Sequence, residues 1–340
     1  MTKALCPAAT LAALSLVFVG GACRQSAVEP NAQRVTRTDV RELSPPPGEL
    51  ALPRTAGSVR FAVIGDSGRG DQTQHEIARQ MVAWREKFPF DFVVMLGDNI
   101  YPPHGPDDYV TKFEQPYRAL LDAGVTFYAS IGNHDPDAEL SYGKFNMEGR
   151  RYYTFRKNER RLGGLVGAGV RFFVLDSRSL DPDQLAWLED ELRKSQTEWK
   201  ICYFHHPLYT SGRYSNSARV LRLALEPILI TGDVDVVLSG HEHFYERLRP
   251  QHGISYFISG GAGSLRKGDI RRPSALMARG FDTDFHFMLM EVSGNSLYFQ
   301  AISRTGETID AGSITRPPVP QTEPSPEPEP GTWNPEPGTY

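Results

Sequence analysis

The chain is predicted to fold as an α/β domain in which two mixed sheets pack face to face with helices outside. Three observations predict it. Short apolar runs alternate with amphipathic helical stretches, which implies mainly parallel strands joined by helical crossovers. The alternation stops near the end of the domain, where GISYFISGG, FHFMLMEVSG and SLYFQAISR follow one another as antiparallel candidates. Five of the apolar runs also break into Gly plus a carboxylate, amide or imidazole. These are FAVIGDSG (Asp66), FVVMLGDNIY (Asp98, Tyr101), FYASIGNHD (Asn133), KICYFHHP (His205, His206) and VDVVLSGHEHFYER (His241, His243). In parallel α/β sheets such residues gather beyond the carboxyl ends of the strands, where sites form.

The elements follow in order. RFAVIGD reads as a first buried strand, and the helix after it, within residues 71–88, carries Ile77, Met81, Trp84 and Phe88 on one face. FDFVVMLGD follows, then a helical stretch across Tyr109–Asp122, then VTFYASIGNHD. The second half repeats the plan with VRFFVLDS, a helix, and WKICYFHHP. Asp181 is a suitable N-cap for that helix, Pro182 its first turn, and Gln184 is placed to close a capping box, with Leu185, Leu188 and Leu192 as the buried stripe. ARVLRLALEPILI then leads to VDVVLSGHEH. The GGAG run at 260–263 precedes no helix and reads as a tight turn rather than a phosphate cradle.

The 340 residues, 40% apolar and 23% charged, can bury a sizeable core, and a net charge of −4 with no basic stripe argues against a nucleic-acid partner. Residues 1–23 read as a signal peptide, since Lys3 precedes the short apolar run LAALSLVFV and small residues lead into Cys23. That ending resembles a bacterial lipoprotein cleavage site, with Gly20 where the pattern prefers Leu. It implies export and membrane attachment through a lipidated Cys23; plain secretion to the periplasm or medium is the alternative. Residues 24–57 read as a flexible linker, 58–316 as one catalytic domain, and 317–340 as a Pro/Glu-rich tail too polar to fold. Cys6 lies in the signal, so Cys202 has no disulfide partner and is expected in the core.

The five strand ends supply two carboxylates, a phenol, an amide and three or four imidazoles, enough for two metal ions side by side. A carboxylate between two ions can bridge them at the ~3.5–4 Å separation of two-metal hydrolases. Taken singly, Asp66, Asp98 and Asn133 could be turn or cap residues. Their joint order with GHEH favours ligation. His206 is expected as a neighbour, and His75, His104, His252 and His286 as structural or solvated.

GDSG, GDNIY, GNHD, the HHP segment and GHEH stand in the order of the calcineurin-like metallophosphoesterases. Most of that superfamily has D-x-H in the first motif. This chain has Asp66-Ser67-Gly68, with Tyr101 three residues after Asp98, and YER at Tyr245 to Arg247. In this it resembles the purple acid phosphatases, in their small, tartrate-resistant-like form. The resemblance implies a four-layer α/β/β/α sandwich. It also implies hydrolysis of a small phosphate monoester by in-line attack of a metal-bound hydroxide at an Fe(III)–M(II) centre, M being Zn, Fe or Mn. By resemblance Asp66, Tyr101 and His243 would bind the ferric ion, Asn133, His205 and His241 the divalent ion, and Asp98 would bridge. His205 is preferred to His206 because the family's ligand stands before an x-Pro pair, here His206-Pro207. His134 would contact phosphate and protonate the leaving alcohol. Two positions depart from the pattern: Asp135 replaces Glu, and Tyr214 stands where many members carry a second substrate-side His. Tyr214 and Arg213 are thus candidate phosphate contacts. A phosphodiesterase or nucleotidase of the same superfamily is the alternative. A surface-tethered protein that only binds metal is a further one.

Overall fold

The computed structural model describes residues 39–316 apart from 159, 163, 164, 168, 196, 197 and 271–273. The signal segment 1–23 with Cys23, and the tail 317–340, lie outside the described residues. Strands run in the order β1 (Asp39–Glu42), β2 (Val59–Ile64), β3 (Phe92–Met95), β4 (Thr126–Ala129), β5 (Tyr153–Lys157), β6 (Arg160–Leu162), β7 (Leu165–Gly167) and β8 (Val170–Val174). The rest are β9 (Trp199–Tyr203), β10 (Val236–Ser239), β11 (Tyr245–Leu248), β12 (Ser255–Ser259), β13 (Met277–Phe281), β14 (His286–Ser293), β15 (Ser296–Ser303) and β16 (Thr308–Thr315). The α-helices are α1 (Gln72–Lys87), α2 (Arg118–Asp122), α3 (Pro182–Arg193) and α4 (Ser215–Thr231).

Two seven-stranded mixed sheets form the body, in the orders β1-β16-β15-β14-β2-β3-β4 and β13-β11-β12-β10-β9-β8-β5. β2, β3 and β4 pair in parallel in the first, and β8, β9, β10 and β12 in the second; the flanking strands are antiparallel. Aromatic rings join the sheets face to face. Phe61 of β2 meets Phe172 of β8 edge-on at 5.3 Å, and Phe257 of β12 meets Phe299 of β15 at 4.9 Å. Successive strand residues face opposite sides. In β8, Phe172 therefore enters the core between the sheets, whereas Phe173 packs outward in a second core with Leu188 and Leu192 of α3 and Leu225 and Leu229 of α4. Cys202 of β9 lies in that second core, buried and unpaired.

α1 buries Ile77, Met81 and Trp84, with Phe88 just beyond it, as the periodicity predicts. The Tyr109–Asp122 stretch is interrupted. One π-helical turn (Val110–Glu114) ends before Pro116, which has no N–H to continue a ladder, and α2 restarts at Arg118. Asp181 caps α3, accepting from Gln184 N at 2.8 Å. The capping box is not closed, because the buried Gln184 side chain instead accepts from Asp176 N and donates to the carbonyls of Asp176 and Ser179. In the stripe, Leu188 and Leu192 are buried and Leu185 is partly so.

The linker assignment needs correction within residues 39–57. β1 pairs antiparallel with β16, from Asp39↔Thr315 to Glu42↔Gly312, and Leu52 is buried in the main core. Glu291 accepts from Arg54 N and Thr55 N at 2.8 and 2.6 Å, and Gln300 Oε1 from Ala51 N at 2.9 Å. Backbone groups the polar composition suggested were solvated thus find partners hundreds of residues away. The YER segment ties the sheets together. Tyr245 Oη and Arg247 Nε of β11 donate to Asp310 of β16 at 2.8 and 2.7 Å, and Arg247 Nη2 to Glu42 of β1 at 2.8 Å. Among the described residues no helix is long and apolar enough to cross a membrane.

Candidate metal centre

All five motif loops leave the carboxyl ends of parallel strands: β2, β3 and β4 in the first sheet, β9 and β10 in the second. The site therefore lies on the edge shared by both sheets. Backbones approach closely enough there to explain the motif glycines. A Cβ on Gly132 would stand 2.3 Å from Asp98 Oδ1, and one on Gly240 2.6 Å from Asp66 Oδ2. Asp66, Asp98 and His241 take left-handed backbone conformations, with φ of 55°, 52° and 68°. Such conformations are uncommon for residues with a Cβ and concentrate at functional sites.

Two clusters of donor atoms result. In the first, Tyr101 Oη is 3.1 Å from Asp66 Oδ1 and 3.0 Å from His243 Nε2, and His243 Nε2 is 3.2 Å from Asp66 Oδ1. In the second, His205 Nε2 is 3.0 Å from Asn133 Oδ1 and 3.2 Å from His241 Nδ1. Asp98 joins them: its Oδ1 lies 3.4 Å from His205 Nε2, while its carboxylate groups with Asp66 and His243 within 4.8 Å. All seven side chains named as ligands from sequence are brought together. His206 comes too. Its ring lies 4.4 Å from that of His241, and its nitrogen is close enough to share an ion with His205 and His241. Ser177 holds it, with Oγ 2.9 Å from His206 Nδ1 and also accepting from His206 N. The doubled His in HHP was the available signal, but the family's x-Pro spacing drew the choice to His205, and both residues lie in the loop after β9 rather than on the strand.

The donor set fits cations. His205 Nδ1 donates to Leu96 O at 2.9 Å, which directs the other ring nitrogen at an amide oxygen, a carboxylate and a second imidazole. Without a cation a proton must serve. Burial opposes protonation of His205, but Asp98 and Asp66 reverse this and bring its pKa up to about 9. Burial, and then the His205 charge, drive His241 down to about 2 and His206 down to about 3. Burial followed by Asp66 and Asp98 pushes the Tyr101 phenol up, so ligation as phenolate needs a cation to offset those carboxylates.

The second-layer residues brace the loops. Asp135, 5% exposed, accepts from Ile100 N, Gly132 N and Asn99 Nδ2 at 3.0, 2.7 and 3.0 Å, locking the GDN loop to the GNHD loop. Burial and the nearby Asp98 charge raise its pKa to about 6. His134 N donates to Asp98 Oδ1 at 2.9 Å, and its ring lies 4.8 Å from that of Tyr101. Tyr214 lies over His241 at 4.1 Å. Its loop is held by Glu242, whose Oε1 accepts from Tyr214 N and Thr210 Oγ1. Arg213 directs Nε and Nη2 at Asp269, at 2.9 and 2.7 Å, so its guanidinium secures this loop. His104 lies beside Asp108, its Nδ1 3.6 Å from Oδ2.

Residues 59–245 match the calcineurin-like phosphoesterase family model. Purple acid phosphatase 17 of Arabidopsis thaliana is 31% identical over 244 residues, covering 64% of this chain and 72% of that one. Tartrate-resistant acid phosphatase type 5 of Rattus norvegicus is 23% identical over 309 residues, covering 78% and 93%. Among solved structures, GAP50, the anchor in the inner membrane complex of Plasmodium, superposes with a TM-score of 0.69 at 20% identity, covering 76% of this chain and 89% of that one. At that identity the likeness concerns the fold alone.

Proposed function

The chain belongs to the calcineurin-like phosphoesterase family, in its purple acid phosphatase branch, and on that premise we propose that it hydrolyses phosphate monoesters at a mixed Fe(III)–M(II) pair. Membership makes it a metal-dependent phosphoesterase with a binuclear centre. The finer reading rests on one observation: two clusters of lone pairs, one containing a phenol, joined by the Asp98 carboxylate. Asp66, Tyr101 and His243 would hold the ferric ion, since hard oxygen donors suit a trivalent metal. Asn133, His205 and His241 would hold zinc, iron or manganese, with Asp98 shared. When bound, such a pair supplies Lewis acidity, a lowered pKa for water and a clamp for phosphate oxygens.

The protein's own groups do the rest. Burial of Asp66, Asp98 and His205 keeps bulk water from competing for these donors. Glu242 fixes Tyr214 at the mouth of the site through its backbone N–H. His134, whose backbone is pinned to Asp98, would contact the phosphate and hand its ring proton to the departing alcohol oxygen. Replacing Asp98 or His241 with Ala should abolish turnover and bound metal; a variant retaining full activity would refute the assignment. Tyr101→Phe should remove a tyrosinate–ferric visible band from iron-loaded protein.

Tyr214 at the substrate side favours one second reading, a phosphodiesterase or nucleotidase. Relative turnover of p-nitrophenyl phosphate and its bis-aryl diester separates the two. For location, we propose cleavage before Cys23, acylation there and display on a membrane surface. Incorporation of a labelled fatty acid, lost in Cys23→Ser, tests this.

A further inference from the structure

Two arginines outside the ligand set stand over the two tyrosines of the site. The Arg69 guanidinium lies 4.0 Å above the Tyr101 ring, with Nε donating to Ser264 Oγ at 2.9 Å. The Arg266 guanidinium lies 5.8 Å from the Tyr214 ring, and its backbone N donates to the carbonyl of His243 at 3.3 Å. A single short segment, 264–266, thus anchors one guanidinium through its side chain and carries the other. Of the nearby carboxylates, Asp269 takes the Arg213 fork, and Glu242 accepts from Thr210 and Tyr214 through Oε1 while its buried Oε2 has no hydrogen-bond partner. Arg266 Nη1 is buried and has no hydrogen-bond partner. A buried unpaired guanidinium N–H is costly unless a ligand accepts from it. Arg69 thus stands on the ring that also meets His134, and Arg266 beside the ring that meets His241, where a phenol adds no cationic charge.

We propose that Arg69 and Arg266 form a cationic rim that selects the dianionic phosphate monoester over the monoanionic diester. This rests on the phosphatase reading and names its substrate class. A guanidinium fork matches the geometry of phosphate oxygens, and its attraction scales with ligand charge. A diester carries one negative charge less and presents an alkyl or aryl group at one of the positions the rim would engage.

The test uses metal-loaded full-length protein with Arg69→Gln, Arg266→Gln and Arg266→Lys. Its readouts are KM and kcat for p-nitrophenyl phosphate and for bis(p-nitrophenyl) phosphate, and calorimetric affinity for inorganic phosphate. Each Gln variant should raise the monoester KM about tenfold and weaken phosphate binding about as much, the scale of one lost charge-assisted hydrogen bond. Diester KM should move less than about threefold on the same scale, and Arg266→Lys should recover part of the loss. Equal losses on both esters, or none on either, overturn the proposal. If Arg266→Gln fails to fold, Arg69→Gln and Arg266→Lys carry the same comparison, because Arg69 is exposed. A wild-type protein that turns over neither ester defeats the phosphatase reading, and the phosphate titration then judges the arginines alone.

Discussion

Gly68 occupies the first-motif position where most of the superfamily carries a histidine, and the structure leaves no room for one. A Cβ there would fall 1.9 Å from the carbonyl oxygen of Asn99 and 2.5 Å from Ile100 N, against an ordinary contact of 3.4 Å or more. Relief requires the backbone of residues 99–100 to move by about 1.5 Å, the gap between those distances. That backbone is joined to Gly68 on both sides, by Gly68 N donating to Asp98 O at 3.3 Å and Tyr101 N donating to Gly68 O at 2.8 Å. Overpacking costs about 1–3 kcal/mol and each lost backbone hydrogen bond about 1 kcal/mol, so Gly68→Ala should destabilise by roughly 3–5 kcal/mol. At about 2–4 °C per kcal/mol for a domain of this size, the thermal midpoint should fall by roughly 10 °C. The same movement carries Tyr101 away from Asp66 and His243, so metal content should fall with it. Differential scanning calorimetry and metal analysis read both effects. Gly143→Ala is the control, because a Cβ there meets nothing within 4 Å. A Gly68→Ala protein with wild-type midpoint and metal content would refute this reasoning, as would a Gly68→His protein that gained a ligand.

Two further outcomes follow from buried charge. Arg247 is 3% exposed and depends on Asp310 for two of its hydrogen bonds, so Asp310→Ala should cost about 3–5 kcal/mol in denaturant unfolding; a loss below about 1 kcal/mol would show that Glu42 alone suffices. His286 is fully buried, neither ring nitrogen has a hydrogen-bond partner, and burial takes its pKa from 6.5 down to about 3. Between those values the unfolded chain binds a proton that the folded chain does not, so this group's stability contribution falls as pH drops below 6.5. At pH 4.5 that is about 3 kcal/mol, so in chelator His286→Leu should lose less stability than wild type from pH 7 to 4.5; parallel profiles would contradict it.

Local pattern made the centre readable. Each ligand follows an apolar strand that its neighbours identify, and a glycine marks each place where backbone meets a carboxylate, as Gly132 and Gly240 do with Asp98 and Asp66. α1 and the α3 cap were legible for the same reason. What sequence did not show depends on distant partners. Residues 39–57 look like a polar tether until β16, Glu291 and Gln300 are set beside them. Gln184 fits a capping box on spacing alone, but a buried amide finds better partners in the Asp176 loop. Arg213 and Tyr214 are adjacent, yet one turns to Asp269 and the other to His241. Arg69 and Arg266 carry no motif, and only the fold brings them to the same rim.

Two cations are expected to complete this site and make it a phosphatase. The most direct measurement is phosphate release from p-nitrophenyl phosphate by chelator-stripped protein as metal is added back. Activity absent from the stripped protein should rise to a plateau at two equivalents per chain. Full activity without metal, or saturation at one equivalent, would contradict the account.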